Sequence, residues 1–186
     1  MSEEQHEGDG TLEREGGKLI HKGPIVSVRM DRFRYPDGST DVRQVVVHPG
    51  AVAIVAYDAR AVYLVRQPRE PVEEAALLEL PAGRLDKEGE SPLEAAQREL
   101  REEIGKSAGD WTELRRFYTS PGFASERVHL FMATELYDVP AEPEDDEMID
   151  IIKIPLGDLD STIEMCRDAK SIIGLIALRD HLASRS

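Results

Sequence analysis

The stretch LPAGRLDKEGESPLEAAQRELREEIG, residues 80–105, constrains the fold most, because it contains a complete helix with both ends marked. Residues 91–94, SPLE, form a capping box with proline at the first helical position. Gly105 stands where a left-handed C-terminal cap is needed. The sequence therefore predicts a helix from about Pro92 to Ile104. Its predicted core stripe is Leu93, Ala96, Leu100 and Ile104.

The same helix brings acidic side chains together near its C-terminal end. Glu99 and Glu103 are four residues apart and Glu102 is three from Glu99, so their carboxylates can converge on one side. The helix dipole makes this end the least favourable one for anions. In an arbitrary acidic helix the ordinary interpretation is a solvated face with pairs such as Arg98–Glu102. The cluster is also compatible with a divalent cation held by oxygen ligands.

Composition and charge limit the class of protein. At 186 residues, with 40% hydrophobic and 32% charged content, the chain has the size and balance of one globular domain with a tail. A net charge of −14 argues against unassisted binding to duplex nucleic acid or to an anionic membrane. The single cysteine, Cys166, excludes an intrachain disulfide and fits a reducing compartment. With no signal-like or membrane-spanning apolar run, we expect a soluble cytoplasmic protein.

Three segments are expected along the chain. Residues 1–16 are polar and predict a disordered leader, residues 17–48 an N-terminal β region, and residues 49–186 the main domain. Turn signals at RYPDGS and at YDAR predict two β-hairpins before the acidic helix. After it we expect strands within 126–136 and 148–156 and one helix over 161–182. This order predicts an α/β fold, a mixed sheet with helices on its faces.

The acidic segment resembles the Nudix hydrolase signature, G-x5-E-x7-R-E-U-x-E-E-x-G-U, in which U is aliphatic. The matching residues are Gly83, Glu90, Arg98, Glu99, Leu100, Glu102, Glu103 and Gly105. There are two departures: six residues instead of five separate Gly83 from Glu90, and Lys106 stands at an aliphatic position. The longer turn precedes the helix and leaves the register of the glutamates intact.

The resemblance implies a Nudix-type α/β/α sandwich that holds Mg²⁺, with Mn²⁺ as a possible substitute, against a diphosphate. It implies that Glu99 and Glu103 are the principal metal ligands and that Glu102 is an additional one with a catalytic role. It further implies a ligand in the backbone carbonyl of Ala82, and a bracing role for Arg98 with Glu90. The metal ions would then offset the negative charge of the helix.

Residues outside the signature resemble the ADP-ribose pyrophosphatase subfamily from about residue 45 to 159, through RQPRE, YTSPGFASERVHLFMA and an acidic loop. Pro121 lies sixteen residues beyond Gly105, as a substrate-site proline does in that subfamily; the alternative is a proline that only starts a turn. Arg69 matches a substrate-contacting arginine, and its alternative is a surface charge. Pro68 departs from the aromatic residue usual there. Arg43 is the expected contact to the nucleotide.

The resemblance also implies a catalytic base, an assembly and a reaction. Alignment of the acidic loop places Glu147 at the position of the base, with Asp146 and Glu144 as competitors and a solvated loop as the ordinary alternative. The resemblance implies a homodimer in which the N-terminal strands, residues 18–48, cross to the partner; a sheet within one subunit is the ordinary alternative. The implied activity is Mg²⁺-dependent hydrolysis of ADP-ribose to AMP and ribose 5-phosphate. Hydrolysis of GDP-mannose or ADP-glucose, or non-catalytic binding of a nucleotide sugar, are the alternatives. We assign no role to His129.

Overall fold

A computed structural model describes residues 11–140 and 148–185. The chain divides into two compact units. Among the described residues, the first unit comprises 11–49 and Ser120–Glu126, and the second comprises Gly50–Thr119, 127–140 and 148–185. Each unit is described below by itself.

The regular secondary structure of the described residues consists mainly of strands, with a few helices. The first unit contains β1 (Glu13–Lys22), β2 (Ser27–Arg34) and β3 (Thr40–Val47). The second unit contains the strands β4 (Ala51–Tyr57), β5 (Ala61–Arg69), β6 (Glu74–Glu79), β7 (Ala82–Arg84), β8 (Lys106–Tyr118), β9 (Arg127–Asp138) and β10 (Asp150–Pro155). Its helices are α1 (Pro92–Ile104), α2 (Leu159–Met165) and α3 (Ala169–Ala183).

The second unit is built on a seven-stranded mixed sheet. Its main order is β10-β5-β4-β9-β8, with β6 paired to β5 and β7 paired to β4. Only β4 and β9 run parallel, and the other pairs of this sheet are antiparallel. Alternate residues of β4 enter two separate cores: Val52 and Ile54 pack with α1, and Ala53 and Val55 pack with α2 and α3. The predicted α/β/α sandwich is confirmed.

The central position of β9 changes its side-chain pattern. The sequence suggests an alternating strand with one solvated face, yet every residue from Val128 to Ala133 is buried. The reason is that helices cover both faces of the sheet at this strand, so neither face can be polar unless its groups are paired.

α1 has the bounds that its capping signals predict. The N–H of Glu94 donates to Ser91 Oγ at 3.3 Å, the N–H of Ser91 donates to Glu94 Oε2 at 2.8 Å, and Gly105 closes the helix with φ 62°. A capping interaction of this kind stabilises a helix by about 1 kcal/mol. The prediction that Leu93 belongs to the core stripe is wrong, because Leu93 is 38% exposed and the buried stripe begins at Ala95.

The C-terminal helix is broken into α2 and α3. Cys166 takes an extended conformation, with φ −70° and ψ 138°, and Asp168 then caps α3 by accepting a hydrogen bond from the N–H of Ser171 at 3.0 Å. α3 lies close to the sheet at Gly174, where a Cβ would come within 2.4 Å of Leu80 Cδ1. No helix among the described residues is both long and apolar enough to span a membrane.

The first unit is a three-stranded antiparallel sheet in the order β1-β2-β3. The β2–β3 hairpin is confirmed, but the leader predicted over residues 1–16 is wrong at its end, because β1 begins at Glu13. β1 lacks an apolar alternation, and an ion pair with the buried Asp31 ties it to β2: Arg14 Nε donates to Asp31 Oδ2 at 2.6 Å. Gly17 makes room for that carboxylate, since a Cβ there would lie 1.9 Å from Asp31 Oδ1.

Candidate active site

Glutamates from the last turns of α1 lie against β7. Leu100 and Ile104 are buried on the side of the helix that faces the sheet. With the helix oriented in this way, Glu99 and Glu103 lie against the backbone of β7. Glu103 is only 6% exposed, and its Oε2 accepts a hydrogen bond from the N–H of Ala82 at 3.0 Å. Burial of a carboxylate requires such partners. The role predicted for the carbonyl of Ala82 stays a prediction.

Glycine is required at position 83 because Glu99 occupies the space of a side chain. A Cβ at Gly83 would lie 1.8 Å from Glu99 Oε1 and 1.9 Å from its carboxyl carbon. Glu99 and Glu103 therefore meet two consecutive residues of β7, Gly83 and Ala82. The first glycine of the signature is thus explained by a close approach of a carboxylate to the backbone.

Arg98 offsets part of the charge of this cluster. Its Nε and Nη2 donate to the two oxygens of Glu90 at 2.9 and 3.1 Å. Its Nη1 donates to Glu99 Oε1 and to Glu102 Oε2, each at 2.7 Å. The hydrogen bond with Glu90 is the main reason why the pKa of Arg98 is raised, so the guanidinium stays charged at every accessible pH.

The Arg98–Glu90 pair fixes the loop before α1 to the helix. The hydrogen bond from Arg98 holds the pKa of Glu90 below its ordinary value. The stabilisation from this pair is therefore present above the ordinary carboxyl pKa and is lost as the pH falls through the lowered one. The bracing role predicted for these two residues has a direct geometric basis.

The chemical type of the ligand atoms at this site suits a divalent cation. Glu99, Glu102 and Glu103 offer carboxylate oxygens, the ligands that Mg²⁺ and Mn²⁺ take in proteins. Across residues 11–140 and 148–185, however, no three acidic, histidine or cysteine side chains are arranged as a metal-binding group. Glu99 and Glu102 both accept from Arg98 Nη1, so a cationic group already lies between them. Binding of a metal ion here would require these carboxylates to turn from Arg98.

The predicted substrate-contacting arginine Arg69 belongs to the same unit as these glutamates. Its Nε and Nη2 donate to Glu79 Oε2 at 3.0 and 2.7 Å. Burial alone would lower the pKa of Arg69, but the hydrogen bond and charge of Glu79, followed by the charge of Glu103, raise it. Arg69 therefore lies in the electrostatic field of the glutamate cluster.

Two of the remaining predicted residues belong to the first unit, and three lie outside the described residues. Arg43 and Pro121 belong to the first unit. Arg43 is exposed, forms an ion pair with Asp41 and donates a hydrogen bond to Tyr35 Oη at 3.3 Å. Pro121 lies in a turn in which the carbonyl of Ser120 accepts a hydrogen bond from the N–H of Phe123 at 3.1 Å. The loop candidates for the base, Glu144, Asp146 and Glu147, lie outside the described residues.

Two residues left without a role in the reaction have structural partners. His129 is buried, and its Nδ1 lies 2.9 Å from Glu113 Oε1. Hydrogen bonds from Arg116, and next from His129, lower the pKa of Glu113 to about 2. Lys106, the departure from the signature, places Nζ 4.9 Å from the centre of the Tyr63 ring and 2.6 Å from Asp138 Oδ1, so a cation–π contact and an ion pair replace an aliphatic contact.

Sequence reasoning missed Glu79 and Lys170. Glu79 is 3% exposed and binds Arg69 and Lys170, which come from opposite ends of the second unit's sequence. The sequence does contain a signal for Glu79, because it is a charged residue inside the apolar run LLELPAG, which ends at the first glycine of the signature. Nothing in the helical pattern around Lys170 distinguishes it from a surface lysine.

Comparisons with known proteins agree with this geometry. The NUDIX domain family model matches residues 47–173. An ADP-ribose pyrophosphatase of Bacillus subtilis (strain 168) is 39% identical over 148 residues, which cover 78% of this chain and 79% of that relative. A methanol dehydrogenase activator of Bacillus methanolicus is 38% identical over 161 residues, covering 84% and 86%. A crystal structure of an ADP compounds hydrolase has a TM-score of 0.81 over 94% of this chain and 96% of its own, at 24% identity, a likeness of fold.

Replacing Arg98 by glutamine tests its role as the cation of the cluster. We expect the metal-free free energy of unfolding to fall by about 2–4 kcal/mol, because largely buried carboxylates lose their cationic partner. Mg²⁺ should restore part of the loss by binding the folded state. Denaturant unfolding in EDTA and in MgCl₂ measures both effects. Arg101→Gln, on the same helix, is the matched control, and equal stability of the two variants would refute the assignment.

Proposed function

The chain belongs to the Nudix family of hydrolases, and from that membership we propose that it hydrolyses ADP-ribose to AMP and ribose 5-phosphate with Mg²⁺. The observation that carries the proposal is the set of signature glutamates, Glu99, Glu102 and Glu103, gathered at one end of α1 with two of them against β7. Support for the substrate comes from the 39% identical relative named ADP-ribose pyrophosphatase, with which the chain aligns over 78% of its length.

In this proposal the glutamates of α1 hold the metal ion. When bound, Mg²⁺ or Mn²⁺ would neutralise the diphosphate oxygens and lower the pKa of the attacking water. Glu99 and Glu103 are the principal ligands and Glu102 the additional one, and the Ala82 carbonyl completes the set. Arg98 and Glu90 keep the preceding loop fixed while the carboxylates turn.

The chain's own groups then bind the substrate and accept the proton. Arg69 is the proposed contact to the substrate, and Arg43 and Pro121 are further proposed contacts. Glu147 accepts a proton from the water as it attacks phosphorus, and the P–O bond to the leaving phosphate breaks. The products are AMP and ribose 5-phosphate.

The activity is tested by incubating the protein with ADP-ribose and Mg²⁺ and measuring the release of AMP by chromatography. In Glu99→Gln and Glu103→Gln we expect kcat to fall by about two orders of magnitude or more, because a charged metal ligand is lost while size is kept. Glu164→Gln, an exposed carboxylate on α2, is the control and should keep wild-type kcat.

The same assay separates the alternatives. GDP-mannose and ADP-glucose are assayed beside ADP-ribose. If either has a higher kcat/KM than ADP-ribose, that nucleotide sugar is the preferred substrate. Binding of ADP-ribose without release of AMP at any Mg²⁺ or Mn²⁺ concentration would replace the proposal with a non-catalytic binding module.

Glu147→Gln tests the identity of the general base. A positioned carboxylate base contributes about 10²–10⁴-fold to the rate and little to substrate binding, so kcat should fall strongly with KM within a few-fold. Raised Mg²⁺ should not rescue this variant, whereas it should partly rescue a variant of a metal ligand. Glu144→Gln and Asp146→Asn are the matched controls. A loss in one of these instead of Glu147→Gln would move the base to that residue.

The proposed assembly is a homodimer formed through the first unit. Among the described residues of this unit, only Asp31, a carboxylate, is buried. Apolar side chains on its three strands stay exposed, including Leu19, Ile20, Met30 and Val42. A sheet of three strands needs an apolar face packed against something to be stable, and a second copy of this chain would supply that surface.

Light scattering at micromolar concentration tests the dimer. We expect twice the mass of one 20.8 kDa chain. Met30→Glu together with Val42→Glu should shift the mass towards the monomer, because charges replace two exposed apolar side chains of neighbouring strands. A fully active wild-type monomer would overturn the assembly.

A cytoplasmic location is part of the same proposal. It is supported by Cys166, the only cysteine, which is buried and free of any disulfide. Cell fractionation tests it, and recovery of the protein from an extracellular or membrane fraction would refute it.

A further inference from the structure

A cavity of about 360 Å³ lies beside the segment that leads into the signature. Its charged lining includes Arg69, Glu79 and Asp168, and aliphatic side chains such as Val72 and Leu77 complete the wall. The lining comes from β5, β6, the turn between these two strands, and the junction between α2 and α3, all in the second unit. The cavity is large enough for part of a nucleotide sugar.

Glu79 is the buried carboxylate in this wall. It is 3% exposed, and Lys170 Nζ donates to its Oε1 at 3.2 Å while Gln67 Nε2 donates to its Oε2 at 3.2 Å. Arg69 donates twice to Oε2. A charge this deeply buried is stable only with cations and hydrogen bonds around it. Glu79 therefore has a fixed set of partners.

Lys170 connects this assembly to α3. Its Nζ also donates to Asp168 Oδ2 at 3.0 Å, and Asp168 caps α3. The two cations, Arg69 and Lys170, and the two carboxylates, Glu79 and Asp168, balance in charge. The assembly therefore has no surplus positive charge, and the arginine is held by the fold rather than by a bound anion.

The pairing with Glu79 leaves one edge of the Arg69 guanidinium available. Nε and Nη2 both donate to Glu79, and none of the described residues accepts a hydrogen bond from Nη1. A guanidinium is planar, so Nη1 lies on the edge opposite Glu79. Because the Arg69 side chain is 38% exposed and lines the cavity, a ligand there can reach that edge.

The cavity is within reach of the signature. Glu79 precedes Ala82 by three residues, a span of roughly 10 Å at most for an extended chain. That segment is tied at both sides: the N–H of Leu80 donates to Ser171 Oγ at 2.7 Å, and the N–H of Ile54 donates to the carbonyl of Pro81 at 2.8 Å. A diphosphate at the glutamates of α1 could therefore extend one of its two ends to Arg69.

We propose that Glu79 and Lys170 are positioning residues that hold Arg69 in the cavity wall, so that its Nη1 donates to the nucleotide sugar. This inference rests on the proposed function. Glu79 aligns the guanidinium through two hydrogen bonds, and Lys170 keeps the Glu79 carboxylate from turning. Neither residue needs to touch the reacting atoms.

Glu79→Gln is the central test, because glutamine keeps the size and removes the charge. KM for ADP-ribose should rise about tenfold with kcat within about threefold, since one charge-assisted hydrogen bond is worth about a decade of affinity. In ¹⁵N NMR spectra without substrate, the Arg69 Nε–H signal, assigned by its absence in Arg69→Lys, should exchange slowly in the wild type and be lost in Glu79→Gln.

Glu113→Gln is the matched control. It also removes a carboxylate that binds an arginine through two hydrogen bonds, from Arg116 Nε and Nη2 at 2.7 Å each, yet Glu113 does not line the cavity. Its KM should equal that of the wild type. Lys170→Met tests the same assembly if Glu79→Gln fails to fold. We expect a rise in KM of about threefold, less than a full charge-assisted hydrogen bond contributes, with Lys170→Arg close to wild type.

The outcomes separate this inference from the proposed function. An unchanged KM in folded Glu79→Gln and Lys170→Met, or an Arg69 Nε–H signal that survives in Glu79→Gln, would overturn the positioning role. A wild-type enzyme inactive on ADP-ribose but active on GDP-mannose or ADP-glucose would overturn the substrate assignment, and KM is then compared on that substrate. If none is hydrolysed, the proposed function fails and the NMR comparison alone decides whether Glu79 holds Arg69.

Discussion

The charge balance around Arg98 is the interaction on which the rest of the site depends. Several carboxylates lie at the C-terminal end of α1, where the helix dipole disfavours negative charge. The packing of Leu100 and Ile104 fixes the orientation of the helix and therefore the positions of these carboxylates. One guanidinium binds Glu90, Glu99 and Glu102 together, and with Lys87, which pairs with Glu102, it offsets part of their charge. The same contacts connect the loop before α1 to the helix. Charge compensation and loop geometry are therefore one property of the molecule.

The backbone of β7 is the second constraint, because it receives the other side of the cluster. Glu99 fills the space over Gly83, and Glu103 accepts the N–H of Ala82. β7 itself is held by pairing with β4, the buried strand at the centre of the sheet. The distance between helix and strand is thus set by core packing on one side and by carboxylate contacts on the other.

The sequence predicted those parts of the fold whose signals are local. The ends of α1, the two hairpins and the grouping of Glu99 with Glu103 follow from capping, turn chemistry and helical spacing, which involve residues close in sequence. β1 and the Arg69–Glu79–Lys170 assembly could not be predicted in the same way. β1 is joined to β2 by strand pairing and by an ion pair between Arg14 and Asp31, and Lys170 meets Glu79 only because α3 folds back onto the sheet.

The two buried charge assemblies of the second unit differ in how readily they can change. Glu79 is 3% exposed and its cations come from the fold itself, so removing them would leave a buried charge at a cost of several kcal/mol. Under the proposed function, that assembly would keep its partners when a ligand binds. Glu102 is more accessible, with 14% of its side chain exposed against 4% for Glu79, and under the proposed function a divalent cation would replace Arg98 as its partner. A fixed arginine beside an exchangeable carboxylate cluster suits a substrate that must be oriented before its charge is neutralised, because orientation then requires no further ordering of the protein.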